Sequence, residues 1–421
     1  MNERILPLLL LPALAFSCAD DGNENDDGAA GTLDSDTGTA MGESESGSDT
    51  DTPSATGNAD SGDSDTGISA ADESTGGVPV SGIPVLGDGT HDIDNVDVTV
   101  ISSPEDGLNF PTDVEFKPGE TLELWVSNRE DFSIVIYTDA GLPGQLADKR
   151  QAGFDNGAHF LAKPAALAFN GDGTSFATAQ QENEVTQPGD PADGGFMGPT
   201  LWSGDYDVFQ GGHQSHLDML HNSPLSSGIA WESENTYWVF DGTHGSLTRY
   251  MFNATHGLGG TDHTDGEIYR YADGELGYEH SVPSHVVVDG NYVYAADSGN
   301  GRIVRLDPTT AAEANAIIPN YDGCEMAYMN DAELITLVDG SALEAEMTTP
   351  SGIELHDGML FVTDPIQGRV FAFDTDGTLL DWLDTGFPAG SLMGLAFDDD
   401  GNMWVADAVG NQVHRFSAPA R

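Results

Sequence analysis

Positive charge is scarce in this chain. Thirteen Lys and Arg stand against 71 Asp and Glu in 421 residues, a formal net charge of −58. So acidic a surface repels phosphate backbones and offers no basic patch to anionic headgroups, which excludes unassisted nucleic-acid binding. Cysteine is scarcer still: Cys18 and Cys324 are the only two, and a disulfide framework is excluded unless they pair with each other. No apolar run reaches the ~18–20 residues of a spanning helix. The chain also lacks a Gly-x-Ser-x-Gly elbow, a Gly-rich phosphate loop ahead of a helix and a compact Cys/His zinc motif. Carboxylates are so abundant that no pair of them singles out acid–base chemistry, and catalytic residues stay unassigned. Glycine, by contrast, is plentiful at 52, which with short β-branched and aromatic runs points to a turn-rich all-β fold.

Residues 1–18 read as an export signal: Arg4, an apolar run from Ile5 to Phe16, and small residues before a cysteine. Ala15-Phe16-Ser17-Cys18 resembles the bacterial lipobox, which implies a diacylated Cys18 at the mature N-terminus. Ala19 after that cysteine implies sorting to the outer membrane. The expected location is therefore the bacterial cell envelope, on the periplasmic or exterior side. Residues 19–76 hold sixteen Asp and Glu, no Lys or Arg and almost no apolar side chains. Such a segment cannot bury enough apolar area to offset its ordering entropy, and 19–90 is expected to be a disordered acidic tether.

The rest of the chain, 91–421, carries an irregular repeat. Its clearest copies are VPSHVVVDGNYVYAADSGNGRIVRLD (282–307), TPSGIELHDGMLFVTDPIQGRVFAFD (349–374) and LMGLAFDDDGNMWVADAVGNQVHRFS (392–417). Each runs strand, Asp/Gly turn, strand ending in Asp, turn, strand. Starts near 111, 164, 224, 283, 350 and 392 make six copies, spaced as propeller blades are. The alternating segment 95–101 is expected to complete the last blade. Asp241, Asp297, Asp364 and Asp407 close the second strands, where a carboxylate accepts backbone N–H groups of the tight turn. The copies resemble the NHL repeat, through Pro283, Pro350, Gly352, Gly394 and the turns Asp297-Ser-Gly-Asn-Gly-Arg302 and Asp364-Pro-Ile-Gln-Gly-Arg369. That resemblance implies a six-bladed β-propeller of NHL type.

Eight of the twelve histidines fall between residues 213 and 285. Imidazole is the commonest transition-metal ligand, so a cluster here suits a divalent ion such as Zn²⁺ or Cu²⁺. Blade topology puts the entry to a blade and its second-to-third turn on one rim. That reasoning groups His213, His216, His221, His244 and His285, with Asp218 and Asp241 as oxygen ligands or partners. It sends His256 and His263, between third and fourth strands, to the opposite face. Trp202 is a candidate wall for a sugar or peptide pocket.

The segment Pro283-Ser284-His285 is similar, displaced by one residue, to the Pro-His motif of the peptidyl-amidating lyase propellers. That resemblance implies a metal-dependent lyase or hydrolase. Gluconolactonase-like propellers imply Ca²⁺ instead, with Asp113 the one matching position. The expected molecule is thus a monomeric, lipid-anchored propeller that binds a protein, peptide or glycan on one face through a His-rich metal site. A lyase or hydrolase is the alternative.

Overall fold

The computed structural model describes residues 82–151, 160–182, 197–209, 216–257 and 260–419. Cys18, His213 and the leader and linker up to residue 81 lie outside the described residues. The regular structure among the described residues is β-strand, joined by turns and short 3-10 segments.

Five of the six blades are four-stranded antiparallel sheets, and the remaining one has six strands. Blade one comprises Pro111–Phe116, Leu124–Asn128, Ser133–Thr138 and Leu146–Gln151; blade two, Pro164–Phe169, Ser175–Gln180, Thr200–Ser203 and His216–Met219. Blade three is built on Ser226–Ser233, Thr236–Asp241, Ser246–Met251 and Glu267–Tyr271. Blade four holds Val286–Asp289, Tyr292–Asp297, Arg302–Asp307 and Glu333–Asp339, and blade five Ile353–His356, Met359–Asp364, Arg369–Asp374 and Leu379–Asp384. Blade six takes Leu392–Phe397, Met403–Asp407 and Gln412–Ser417 from the C-terminus and Asp97–Val100 from the N-terminal side. The last pairing runs antiparallel from Asp97 opposite Ser417 to Val100 opposite His414, so the segment at 95–101 does complete the last blade.

The inner strands touch one another in order around a ring, and Leu392–Phe397 of blade six closes onto Pro111–Phe116 of blade one. This is a six-bladed β-propeller. Its blades stack face to face, so middle strands are buried on both sides while outer strands such as Leu146–Gln151 stay largely exposed. Trp125 of blade one meets Phe169 and Phe176 of blade two edge-on, each at 5.1 Å. Burying each such ring contributes roughly 1.5–3 kcal/mol. At the axis the inner strands approach closely. A Cβ on Gly228 would stand 1.9 Å from the Ser284 carbonyl, and one on Gly394 2.3 Å from Asp113 Oδ1, so neither position tolerates a side chain.

Two features depart from the sequence expectation. The sequence places the linker's end at residue 90, yet Val85 and Leu86 are buried against Phe361, Val370 and Phe416, and the backbone N–H of Ile83 donates to Asp381 Oδ2 at 2.9 Å. An apolar stretch follows the acidic tract, and Ile83, Ile93 and Val96 join Val85 and Leu86 in docking it. Blade three is widened by a hairpin, Ala312–Ala316 and Glu325–Asn330, inserted between the third and fourth strands of blade four. Glu325–Asn330 lies parallel to Glu267–Tyr271, in register from Glu267 opposite Glu325 to Tyr271 opposite Met329.

Candidate metal centre between blades two and three

His216 opens the outer strand of blade two opposite Trp202, and Asp218, beyond a register irregularity, stands opposite Leu201 on the face that packs toward blade three. The connection 252–266, leading to the outer strand of blade three, carries His256 and His263 over this face. His263 Nδ1 lies 2.8 Å from Asp218 Oδ1, and His256 Nε2 lies 3.8 Å from the same oxygen. One ligand atom each from Asp218, His256 and His263 falls within 4.8 Å of the others. Ring centroids of His216 and His256 are 4.7 Å apart, those of His256 and His263 5.3 Å, and those of His263 and His221 5.8 Å. His216 stacks on Phe160 at 4.1 Å and meets Trp202 edge-on at 6.3 Å, which gives the cluster an aromatic back wall.

The hydrogen bonds fix how these groups face one another. His256 Nδ1 donates to the Gly257 carbonyl at 2.6 Å, which leaves the lone pair of the neutral ring on Nε2. That atom is buried and has no hydrogen-bond partner among the described residues. Asp218 Oδ1 accepts from the Met219 N–H at 2.7 Å and faces His263, while its buried Oδ2 has no hydrogen-bond partner either. An unsatisfied buried polar atom costs about 1–3 kcal/mol, and a cation held by both side chains would relieve the two of them. Burial raises the Asp218 pKa against the opposing pull of His263 and His256. Burial disfavours the charged His263 ring, but its hydrogen bond to Asp218 and the nearby charges of Asp218, Asp322 and Asp262 outweigh that and raise its pKa. An imidazole-rich group with one carboxylate suits a borderline transition metal better than Mg²⁺ or Ca²⁺.

Of the residues grouped from the sequence, His216, Asp218 and His221 meet here. His244 and Asp241 pair with each other elsewhere in blade three, Nδ1 to Oδ2 at 2.8 Å. The Asp241 carboxylate also accepts from Thr243 and His244 N–H groups at 3.0 Å each, from Ser223 Oγ at 2.7 Å, and lies 3.4 Å from Arg270. It serves the turn. Asp364 and Asp407 accept backbone N–H groups of their own turns in the same way, whereas Asp297 accepts from the Gly277 N–H of the preceding connection at 2.7 Å instead of from its turn.

His285 stands at the inner-strand start of blade four, its Nδ1 3.5 Å from Asp113 Oδ1 of blade one. Among the described residues no other imidazole makes a ring contact with it. Asp113 is buried and accepts N–H groups of Leu167 and Val114 at 2.8 and 2.9 Å. Burial pushes His285 down to about 4 and Asp113 well above the usual carboxylate range. Trp202 is fully buried, with Nε1 donating to Thr178 Oγ1 at 2.9 Å, so it packs behind His216 rather than lining an open pocket. His256 and His263, sent to the opposite face by blade topology, are central to the cluster because a connection of fifteen residues folds back over the edge of blade two. Asp322, on the blade-four hairpin, is a further member that no local pattern marks.

No protein-family model and no curated protein matches the chain. Among solved structures it is similar to virginiamycin B lyase from Staphylococcus aureus, at 10% identity and a TM-score of 0.44, over 76% of this chain and 98% of that one. It is also similar to an auxiliary nutrient binding protein from Bacteroides thetaiotaomicron (10% identity, TM-score 0.46, 76% of each chain). A third is a luciferin-regenerating enzyme (12% identity, TM-score 0.48, 76% of this chain and 95% of that one). These likenesses concern the fold alone, and the strand order and closed ring identify that fold as a six-bladed β-propeller.

Proposed function

We propose that this chain is an exported, lipid-anchored propeller that binds a ligand on one face and carries a divalent transition metal at Asp218, His256 and His263. The observation behind the metal is the convergence of these three side chains around two buried polar atoms without hydrogen-bond partners, His256 Nε2 and Asp218 Oδ2. Zn²⁺ is the expected occupant, with Cu²⁺ next. Three protein ligands would leave a coordination position for water, the arrangement of catalytic zinc, and this supports lyase or hydrolase chemistry as the second reading. Elemental analysis of the purified full chain tests the centre. About one equivalent of zinc or copper is expected, falling below a tenth in Asp218→Asn or His263→Ala. Metal-free protein that stays empty after reconstitution would sink it.

The anchor and the envelope location are supported by Ala15-Phe16-Ser17-Cys18 and the acidic tract that follows. Cys18→Ser should move the protein from the membrane fraction to the soluble fraction. Retention in the membrane fraction would remove the lipoprotein reading.

A further inference from the structure

The outer strand of blade two has the shortest ladder in the ring. It pairs at three positions, Thr200 opposite Met219, Leu201 opposite Asp218 and Trp202 opposite His216, with a break in register before the last. In blade one the same ladder runs unbroken from Ser133 opposite Gln151 to Thr138 opposite Leu146, and among the described residues every other blade also has a longer one than blade two. A strand held by few hydrogen bonds opens locally at small cost. What secures this one comes from other blades. Just beyond it, the His221 N–H donates to Asp322 Oδ2 of the blade-four hairpin at 2.8 Å. On the strand itself, Asp218 faces His263 and His256 of the connection 252–266. Access to these three side chains is poor: Asp218 is 1% exposed, His256 3% and His263 17%. A catalytic ion presents a coordination position that a substrate can reach. An ion held here is withdrawn from solvent except where His263 nears the surface.

We propose that the metal at Asp218, His256 and His263 is a structural staple, which fastens the outer strand of blade two to the connection 252–266 of blade three, and that this centre takes no substrate. The inference rests on the reading of these three residues as a metal site. Opening the strand carries Asp218 away from the two imidazoles and releases the ion, so metal binding and strand closure are linked. With zinc at about 100 times its dissociation constant, the open form becomes about 100-fold rarer. The staple therefore acts where the ladder is shortest, and lyase or hydrolase chemistry has to be sought elsewhere on the ring.

Amide hydrogen exchange of the full chain, with and without Zn²⁺, measures the staple. At that zinc concentration, exchange in 200–203 and 216–219 should slow by about 100-fold. Exchange in the outer strand of blade five, Leu379–Asp384, should not change. His263→Ala removes the most exposed of the three ligands, so it should fold as wild type does and lose the zinc effect. Access to the ion is measured separately, in the chain loaded with Co²⁺ as a visible probe. Added azide should leave the Co²⁺ spectrum as it was. One equivalent of zinc bound with exchange in 200–203 and 216–219 unaffected would overturn the staple and leave the metal site standing. A Co²⁺ spectrum that shifts on adding azide would do the same, because a small anion then reaches the ion. A wild-type chain that binds neither Zn²⁺ nor Co²⁺ would overturn both the staple and the site.

Discussion

His285 and Glu354 are two groups near the propeller axis whose ionisation works against folding in opposite pH ranges. Burial holds His285 at about 4, against 6.5 for a free ring, and the group facing it at 3.5 Å is Asp113, whose own burial favours its neutral form. Between these values the unfolded chain takes up a proton that the native ring refuses, so stability falls as pH drops from about 6.5 to about 4. Burial pushes Glu354 from 4.5 up to about 8, and its charge and those of Asp113 and Glu115 oppose one another. Here the native state keeps a proton that the unfolded chain releases, so stability falls as pH rises from about 4.5 to about 8. Thermal melts across pH 4–8 should show His285→Gln flattening the acid limb and Glu354→Gln the neutral limb. An acid limb unchanged in His285→Gln would mean that the ring is not buried neutral. Cys324 adds a simpler case. It is 6% exposed, and burial together with the Asp322 charge pushes its thiol up to about 12. Native protein should resist a thiol reagent at pH 8 that labels it at once in denaturant.

The repeating element is a strand that ends in aspartate, and its partners decide how much each copy contributes. Asp241 faces Arg270, which is almost completely buried and also donates to the Asn222 carbonyl at 2.6 Å. Asp297 pairs with Arg302, Nε to Oδ2 at 2.7 Å, whose side chain is a quarter exposed. Removing one partner of a buried pair strands the other charge, at a cost of about 3–5 kcal/mol, whereas a guanidinium with access to water is partly compensated. Urea unfolding should therefore show Asp241→Ala losing about 3–5 kcal/mol and Asp297→Ala clearly less. Equal losses would mean that the backbone N–H groups each carboxylate accepts, from Thr243 and His244 at Asp241 and from Gly277 at Asp297, matter more than burial of the guanidinium. The histidine cluster obeys a different logic, because its members come from a strand, a long connection and a hairpin rather than from equivalent positions of the repeat.

The whole ring depends on a strand contributed from the far end of the chain. Asp97–Val100 supplies the fourth strand of blade six, and Val85, Leu86 and Val96 pack into the same core cluster as Val405 and Phe416. A chain starting at Pro104 should lose several kcal/mol, a large part of the 5–15 kcal/mol of a typical domain, and expose the edge Gln412–Ser417 to intermolecular pairing. Chemical denaturation and light scattering measure both effects. A truncated chain as stable and as monodisperse as the intact one would show that blade six does not need closing.

Strand alternation, Asp/Gly turns and the spacing of six copies are local signals, set by side-chain period and turn geometry within about thirty residues, and they were enough to determine the propeller. The closing strand was legible for the same reason: 95–101 alternates, and the last copy ends one strand short. The candidate site is another matter. Blade topology sends a short third-to-fourth connection to one face, but 252–266 is long enough for packing to choose its path, and it settles with Gly266 against Leu220 and with His256 and His263 over Asp218. Asp322 reaches His221 across 101 residues only because the hairpin pairs in parallel with the edge of blade three. Nothing in its sequence marks that non-local pairing. Which imidazoles meet was decided by the course of a long loop and by an inserted hairpin, both governed by tertiary packing rather than by residue type or spacing.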